Sequence, residues 1–262
     1  MSPRKQKETR AQRLLVVPMA WERWRLLGGV WAGRRHFEAG MKTWQWNNWL
    51  VVSPGIGEEV SRVVAERLSE LPFNEIWLVG ICGGLSPLLR AGDLVKVTEE
   101  FVSGANPVDD TGTVREQNLR ELGALEPLDL RRTGFRGQIF EGPGICTTSI
   151  LSRAEKHDLA NKDSGAIVEM ESSVWRVWAE AKRTPFVHLR VVCDPVDREP
   201  LAWKHLRPAH WIADLTRKKP TSESIQSPKS SNRFGNSLTG SVRDWWQAAK
   251  TLRQLGNCLR ME

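Results

Sequence analysis

The sequence predicts an α/β domain built on a mainly parallel sheet, and three observations carry that expectation. Trp49, Leu50, Val51 and Val52 form a short apolar run of the kind that makes a buried strand, and Ser53-Pro54-Gly55-Ile56-Gly57 follows as a strand-to-helix turn. A helix then runs from about Glu58 to Ser69, with Val60, Val63, Val64, Leu68 and Leu71 at three- and four-residue spacing and two acids where the helix dipole favours them. Ile76 to Val79 returns as a strand and ends in a second glycine turn, Gly80-Ile81-Cys82-Gly83-Gly84-Leu85. Strand, glycine turn, helix, strand and glycine turn make a βαβ unit.

The remaining elements extend this alternation. Leu14 to Val17 is a buried strand ending at Pro18, with Glu22 and Arg23 close behind it. Leu94 to Thr98 and the β-branched run Phe186 to Val192 are strands, and Glu171 to Lys182 is an amphipathic helix. Ser103 to Gly137 is polar and reads as a long excursion of the sort that borders sites. The expected organisation is a basic tail over 1–12, a catalytic domain over 13–216, a flexible linker over 217–240 and an amphipathic helix over 241–262. The linker expectation rests on a Lys-, Pro-, Ser-, Asn- and Gly-rich composition, which buries too little apolar surface to offset ordering entropy.

Composition narrows the classes. With 262 residues, 40% hydrophobic and 26% charged, the chain can bury a sizeable core, which excludes a wholly disordered or fibrous protein. The net charge of +7 collects at the ends, in Arg4, Lys5, Lys7, Arg10 and Arg13 and again in Arg217, Lys218, Lys219, Lys229 and Arg233. Such ends read as solvated tails, so nucleic acid is not the expected partner. The four cysteines are scattered, with no CxxC pair and no histidine at ligand spacing, so neither a metal site nor a disulfide framework is expected. Met1 to Gln12 is basic and polar rather than apolar, which gives no signal peptide, and the expected compartment is the cytoplasm. The thirteen tryptophans and the absence of tyrosine carry no functional reading by themselves.

Three acids lie beside sheet ends, where α/β proteins assemble their sites: Glu22 after the first strand, Glu171 in Val168-Glu169-Met170-Glu171-Ser172, and Asp194 in Val192-Cys193-Asp194-Pro195. Singly, each has a plainer explanation, as a turn acid before proline, a solvated first-turn carboxylate or a surface loop acid.

Together, Ser53-Pro54-Gly55-Ile56-Gly57, the Gly80 to Leu85 run with Gly92-Asp93 after it, Glu169-Met170-Glu171 and Cys193-Asp194-Pro195 resemble the purine nucleoside phosphorylase and methylthioadenosine nucleosidase superfamily. The four motifs stand in family order and spacing over roughly Leu14 to Pro200. The chain looks most similar to the hopanoid-associated branch, through the Gly80 to Leu85 run, Asp194-Pro195-Val196-Asp197-Arg198 and a trailing basic helix.

The resemblance implies a three-layer α/β/α fold with a central mixed sheet, a homo-oligomer, no cofactor, and cleavage of the N-glycosidic bond of a purine nucleoside. It assigns catalysis to Asp194, Glu22 and Glu171. Asp194 would protonate N7 of the leaving base, Glu171 with Met170 and Glu169 would hold the ribose, and Glu22 would activate water. Gly55, Gly57, Ile81, Cys82, Gly83 and Cys193 would complete the substrate site. Two departures matter: Ile81 stands where many relatives carry a hydroxyl that helps hold phosphate or water, and Cys193 stands where serine is frequent beside the catalytic aspartate. Adenine is the expected base, and an adenosyl lipid such as adenosylhopane is one expected substrate. A soluble methylthioadenosine-type nucleosidase, a phosphorylase with phosphate as co-substrate, and an inactive nucleoside-binding module are the alternatives. For the terminal helix, Trp245 and Trp246 beside Lys250, Arg253 and Arg260 suggest peripheral contact with the inner membrane face, with packing on its own domain or a second subunit as the competing expectation.

Overall fold

The computed structural model describes residues 12–29, 33–102, 135, 138–162, 166–200 and 235–260. All of the expected 1–12 tail except Gln12, which begins a strand, nearly all of the 103–137 excursion, and 217–234 of the expected linker lie outside the described residues.

Fourteen elements are described. In chain order they are β1 (Gln12–Val16), α1 (Ala20–Leu27), β2 (Arg34–Glu38), β3 (Met41–Trp46), β4 (Trp49–Val52), α2 (Glu58–Arg67) and β5 (Phe73–Gly84). There follow β6 (Leu94–Val102), β7 (Ile139–Cys146), α3 (Arg153–Lys162), β8 (Ile167–Glu169), α4 (Ser172–Ala181), β9 (Phe186–Asp194) and α5 (Gly235–Arg260).

The strands form one mixed sheet. β1 lies parallel to both β4 and β5, and β5 lies parallel to β9, which is the arrangement βαβ crossovers produce. The antiparallel β2–β3 hairpin extends the far edge beyond β4. Beyond β5 the sheet closes: β9 pairs antiparallel with β6, β6 parallel with β7, β7 parallel with β8, and β8 antiparallel back to β5. Five strands thus make a ring that shares β5 with the open part of the sheet.

Successive side chains of a strand point to opposite faces, and here both faces are buried. Leu14 and Val16 pack with Leu50, Val52, Ile76 and Leu78 beneath α2 and α4, which contribute Ala65, Trp175 and Ala179. Leu15 and Val17 pack with Val51, Trp77 and Val79 beneath α1 and α5, which contribute Leu26, Leu27, Trp245 and Leu252. The result is the three-layer α/β/α architecture expected from the motifs. α5 settles very closely on α1: a Cβ at Gly256 would lie 1.6 Å from the Leu26 carbonyl oxygen, so only glycine fits that crossing.

The structure corrects two expectations and refines others. Gly80 to Gly84 is not a turn but the second half of β5, paired with β9 and β8; its glycines serve close packing rather than chain reversal. On α2, Val60 and Val63 are 40% and 46% exposed, while Ser61, Ala65 and Leu68 take the buried positions. Of the apolar stripe, Leu68 is buried and Val64 and Leu71 pack against the same core, so the buried face is turned away from Val60 and Val63 only. The terminal helix begins at Gly235, within the stretch expected to be linker. Its apolar stripe is occupied by the domain itself, with Trp245, Ala249, Leu252, Leu255 and Leu259 all buried and the Trp245 ring tilted against Trp21 at 5.1 Å between centroids. This packing matches the expectation that the helix rests on its own domain, while Trp246, Lys250, Arg253 and Arg260 stay exposed. Among the described residues no helix is long and apolar enough to cross a membrane.

Candidate active site

Each predicted acid is placed by a backbone feature of its own element. Glu22 sits in the first turn of α1 and returns to cap it, its Oε2 accepting from Met19 N–H at 2.8 Å. Its Oε1 accepts from Ile81 N–H on β5 at 2.8 Å, so Ile81 contributes its backbone to holding the acid. Glu169 ends β8, and Glu171 stands at the N-cap of α4. Asp194 ends β9.

Gly83 of β5 is the point where these strands meet, opposite Val168 of β8 in one pairing and Asp194 of β9 in the other. A Cβ there would come within 2.9 Å of Val168 Cγ1 and 3.2 Å of Asp194 Oδ2. Its role is to leave room for the acid.

These ends open into one cavity, lined by Glu22, Glu171 and Asp194 together with Met170, Lys156 and Arg190. Ile81, Cys82, Gly83, Glu169 and Cys193 also line it, while Met19, Ile56, Ile150, Leu151 and Pro200 supply apolar surface. Gly55 and Gly57 stand outside the lining. Both have positive φ, at 113° and 98°, and act through their amides: Gly57 N–H donates to Glu171 Oε1 at 2.9 Å, and Gly55 N–H donates to Pro18 O at 2.9 Å.

Glu169 is less available to a ligand than the motif suggested. Its carboxylate accepts from the backbone N–H groups of Glu171 (2.9 Å) and Ser172 (3.0 Å), from the Ser172 hydroxyl and from Arg190. It caps α4 and holds Arg190 in place. Likewise Cys193 makes no hydrogen bond to Asp194 among the described residues; the partner of that carboxylate is Lys156, through Nζ to Oδ2 at 2.8 Å.

Sequence reading missed both buried cations. Arg190, 1% exposed, donates from Nη2 to Glu171 Oε2 at 3.0 Å and to Glu169, and from Nη1 to Ile81 O at 3.3 Å. Its Nε donates to His188 Nε2 at 2.7 Å, which makes that nitrogen an acceptor and leaves Nδ1–H to donate to Glu100 Oε1 at 2.7 Å. Arg176 closes the chain at 3.1 Å from Glu100 Oε2. A basic residue inside a run such as Val187 to Val192 was the available signal, since an ionised group in a fully buried strand needs partners.

Burial dominates the proton affinities. It pushes the Glu22 carboxyl up to about 7, against the lowering pull of the Ile81 and Met19 amides and of Arg190. Asp194 is pushed up to about 6 by burial, with Lys156 holding it down. Glu171 is raised by burial and by neighbouring Glu169, despite Arg190. Burial also works to raise Glu169, but Arg190, His188 and the donors from Ser172 and Glu171 outweigh it and hold the carboxyl below its usual range. The Cys82 and Cys193 thiols are pushed well above their ordinary value by burial and stay protonated. The cavity therefore holds three carboxyls whose proton affinity burial raises, beside two buried cations that pull it down.

The sequence profile of the phosphorylase superfamily matches residues 32–207. The chain belongs to the phosphorylase superfamily. The superfamily match includes Glu171 and Asp194 but begins after Glu22, which only the fold brings to them. Solved structures agree on the architecture. The native futalosine hydrolase of Helicobacter pylori strain 26695 superposes with a TM-score of 0.63 at 14% identity, covering 96% of this chain and 99% of that one. The 5′-methylthioadenosine/S-adenosylhomocysteine nucleosidase of Campylobacter jejuni gives 0.61 at 14% identity, covering 97% and 100%. A mutant of the Helicobacter pylori nucleosidase with 5′-methylthioadenosine in its active site gives 0.64 at 14% identity, again covering 97% and 100%. No curated protein matches this chain. At these identities the structures establish a nucleoside phosphorylase and nucleosidase-like fold.

Proposed function

We propose that this phosphorylase-superfamily chain hydrolyses the N-glycosidic bond of an adenine nucleoside. The observation that carries the reading is the convergence of Glu22, Glu171 and Asp194, from three distant segments, on one cavity where each carboxyl is raised by burial. Asp194 gives its proton to N7 of the base as the C1′–N9 bond breaks and its electron pair leaves with the base. Glu171, fixed by Gly57 and Arg190, accepts hydrogen bonds from the ribose hydroxyls, which strengthen as positive charge develops on the sugar. Glu22 takes a proton from water as its oxygen bonds to C1′. With a carboxyl near 7, Glu22 is poised for that task at neutral pH.

Water is favoured over phosphate by the charges in the cavity. Among the described residues its lining carries two cations, Lys156 and Arg190, and carboxylates already bind both. The apolar lining from Met19, Ile56, Ile150, Leu151 and Pro200 suits a substrate whose 5′ carbon bears an apolar group. A small alkylthio group and a lipid both fit that description, and the resemblance to the hopanoid-associated branch favours the lipid. Peripheral membrane contact in that case falls to the outward residues of α5, Val242 and Trp246, which are 46% and 53% exposed.

The deciding experiment measures free adenine released from a panel of adenine nucleosides, including an adenosyl lipid in detergent, with and without inorganic phosphate. Phosphate-independent release is expected. Release only with phosphate would replace hydrolysis by phosphorolysis, and silence across the panel would overturn the reading.

A further inference from the structure

Lys156 is an unusual residue to find without solvent. It is fully buried on α3, a helix whose sequence Arg153 to Lys162 is mostly polar. A buried ammonium is costly unless every proton finds an acceptor. Here three acceptors match its three hydrogens: Asp194 Oδ2 at 2.8 Å, Asp194 O at 3.1 Å and Pro195 O at 2.8 Å. All three belong to a single dipeptide. The ammonium therefore grips both the side chain and the backbone of one residue, and that residue is the acid assigned to the leaving base. Gly83 leaves the space this needs, since a Cβ there would stand 3.5 Å from Lys156 Cδ and 3.2 Å from Asp194 Oδ2.

We propose that Lys156 is the positioning residue of Asp194, clamping its carboxyl in one orientation and neutralising the carboxylate that remains once the proton has passed to the base. This rests on the assignment of Asp194 as the general acid. The other groups facing Asp194 do not supply a competing cation. Asp244 of α5 faces it with like charge and is itself 3.6 Å from Arg198, and the thiols of Cys82 on β5 and Cys193 on β9 stay protonated. The balance of the step is simple: the proton leaves the Asp194 carboxyl, the base departs neutral, and the new carboxylate stays paired with the Lys156 ammonium. No frequent sequence motif marks the lysine.

The test compares Lys156→Met, Asp194→Asn and the double variant in the full chain. It measures kcat, KM and the pH dependence of kcat/KM on whichever panel nucleoside the wild type cleaves. Lys156→Met is expected to lower kcat by about tenfold or more with KM changed by less than about threefold, a part of the roughly 10²–10⁴-fold that general acid catalysis contributes. The limb of the pH profile near 6 should move up by about one unit, because a carboxylate that loses an adjacent cation binds its proton more tightly. In the Asp194→Asn background the same substitution should cost nothing further. An unmoved limb, or an additional loss in that background, would make Lys156 a structural tie between α3 and β9 and overturn the proposal. Should Lys156→Met fail to fold, the same readouts are taken on Lys156→Gln, which keeps a donor but not the charge. Unchanged turnover in Asp194→Asn would instead remove the general acid assignment itself, so the two failures are distinguishable.

Discussion

The two buried cations of the cavity keep different company. Lys156 serves one carboxylate and two carbonyls of a single dipeptide, whereas Arg190 is shared by Glu169 and Glu171 with Glu22 close by and His188 behind it. One cation per acid leaves Asp194 near 6. One guanidinium among three acids keeps Glu169 ionised but cannot do the same for all of them, so Glu22 rises to about 7 and Glu171 rises as well. Burial works to raise every one of these carboxyls, and the cation beside each decides how far that rise is offset.

Arg190→Met is the harshest test of that contrast. It strands Glu169 and Glu171 in a buried site, and breaking such an arrangement costs about 3–5 kcal/mol, measurable by urea unfolding. A loss no greater than that of an ordinary surface substitution would mean the carboxylates do not depend on it. Asp194→Asn comes next, with an expected fall in turnover on the order of a hundredfold or more. Its unfolding free energy should drop less than that of Arg190→Met, since two carbonyls still hold Lys156; a larger drop would reverse the ranking of the two clusters.

The smallest effect concerns Glu22 and pH. Its folded carboxyl titrates at about 7 against an ordinary value of 4.5, so the folded state binds more protons than the unfolded one between those limits. Stability from this group is therefore present at low pH and lost as pH rises through about 7, with a limiting slope of about 1.4 kcal/mol per pH unit. Glu22→Gln should flatten that part of the stability profile. An unchanged profile would show that Glu22 is not the group that rises.

Much of the fold was legible because it rests on local patterns. Short apolar runs at Leu14 to Val17, Trp49 to Val52 and Phe186 to Val192 could only be buried strands, and the intervening amphipathic segments fixed the α/β alternation. The β2–β3 hairpin, β7, β8 and α3 were not read. β8 is three residues long, and α3 is mostly polar, so neither has a period to show. Of the candidate site, Glu22, Glu171 and Asp194 were found through linked motifs, and the structure brings all three to one cavity. Lys156 and Arg190 were not found, since a lone basic residue looks the same in sequence whether it faces solvent or a buried acid. The Gly80 to Gly84 run was found and misread, because glycine permits a turn and a close strand crossing equally well.

By itself, then, the sequence determined the α/β alternation through the spacing of its apolar residues, and the resemblance of its motifs pointed to the layer architecture and to the three acids. Tertiary structure alone decided which acids share a cation and where Glu169 spends its hydrogen bonds. Those outcomes depend on contacts between residues as far apart as Lys156 and Asp194 or Gly57 and Glu171. Burial and the count of opposite charges within a few ångströms are properties of the packed chain, and they set the direction in which each carboxyl's proton affinity moves.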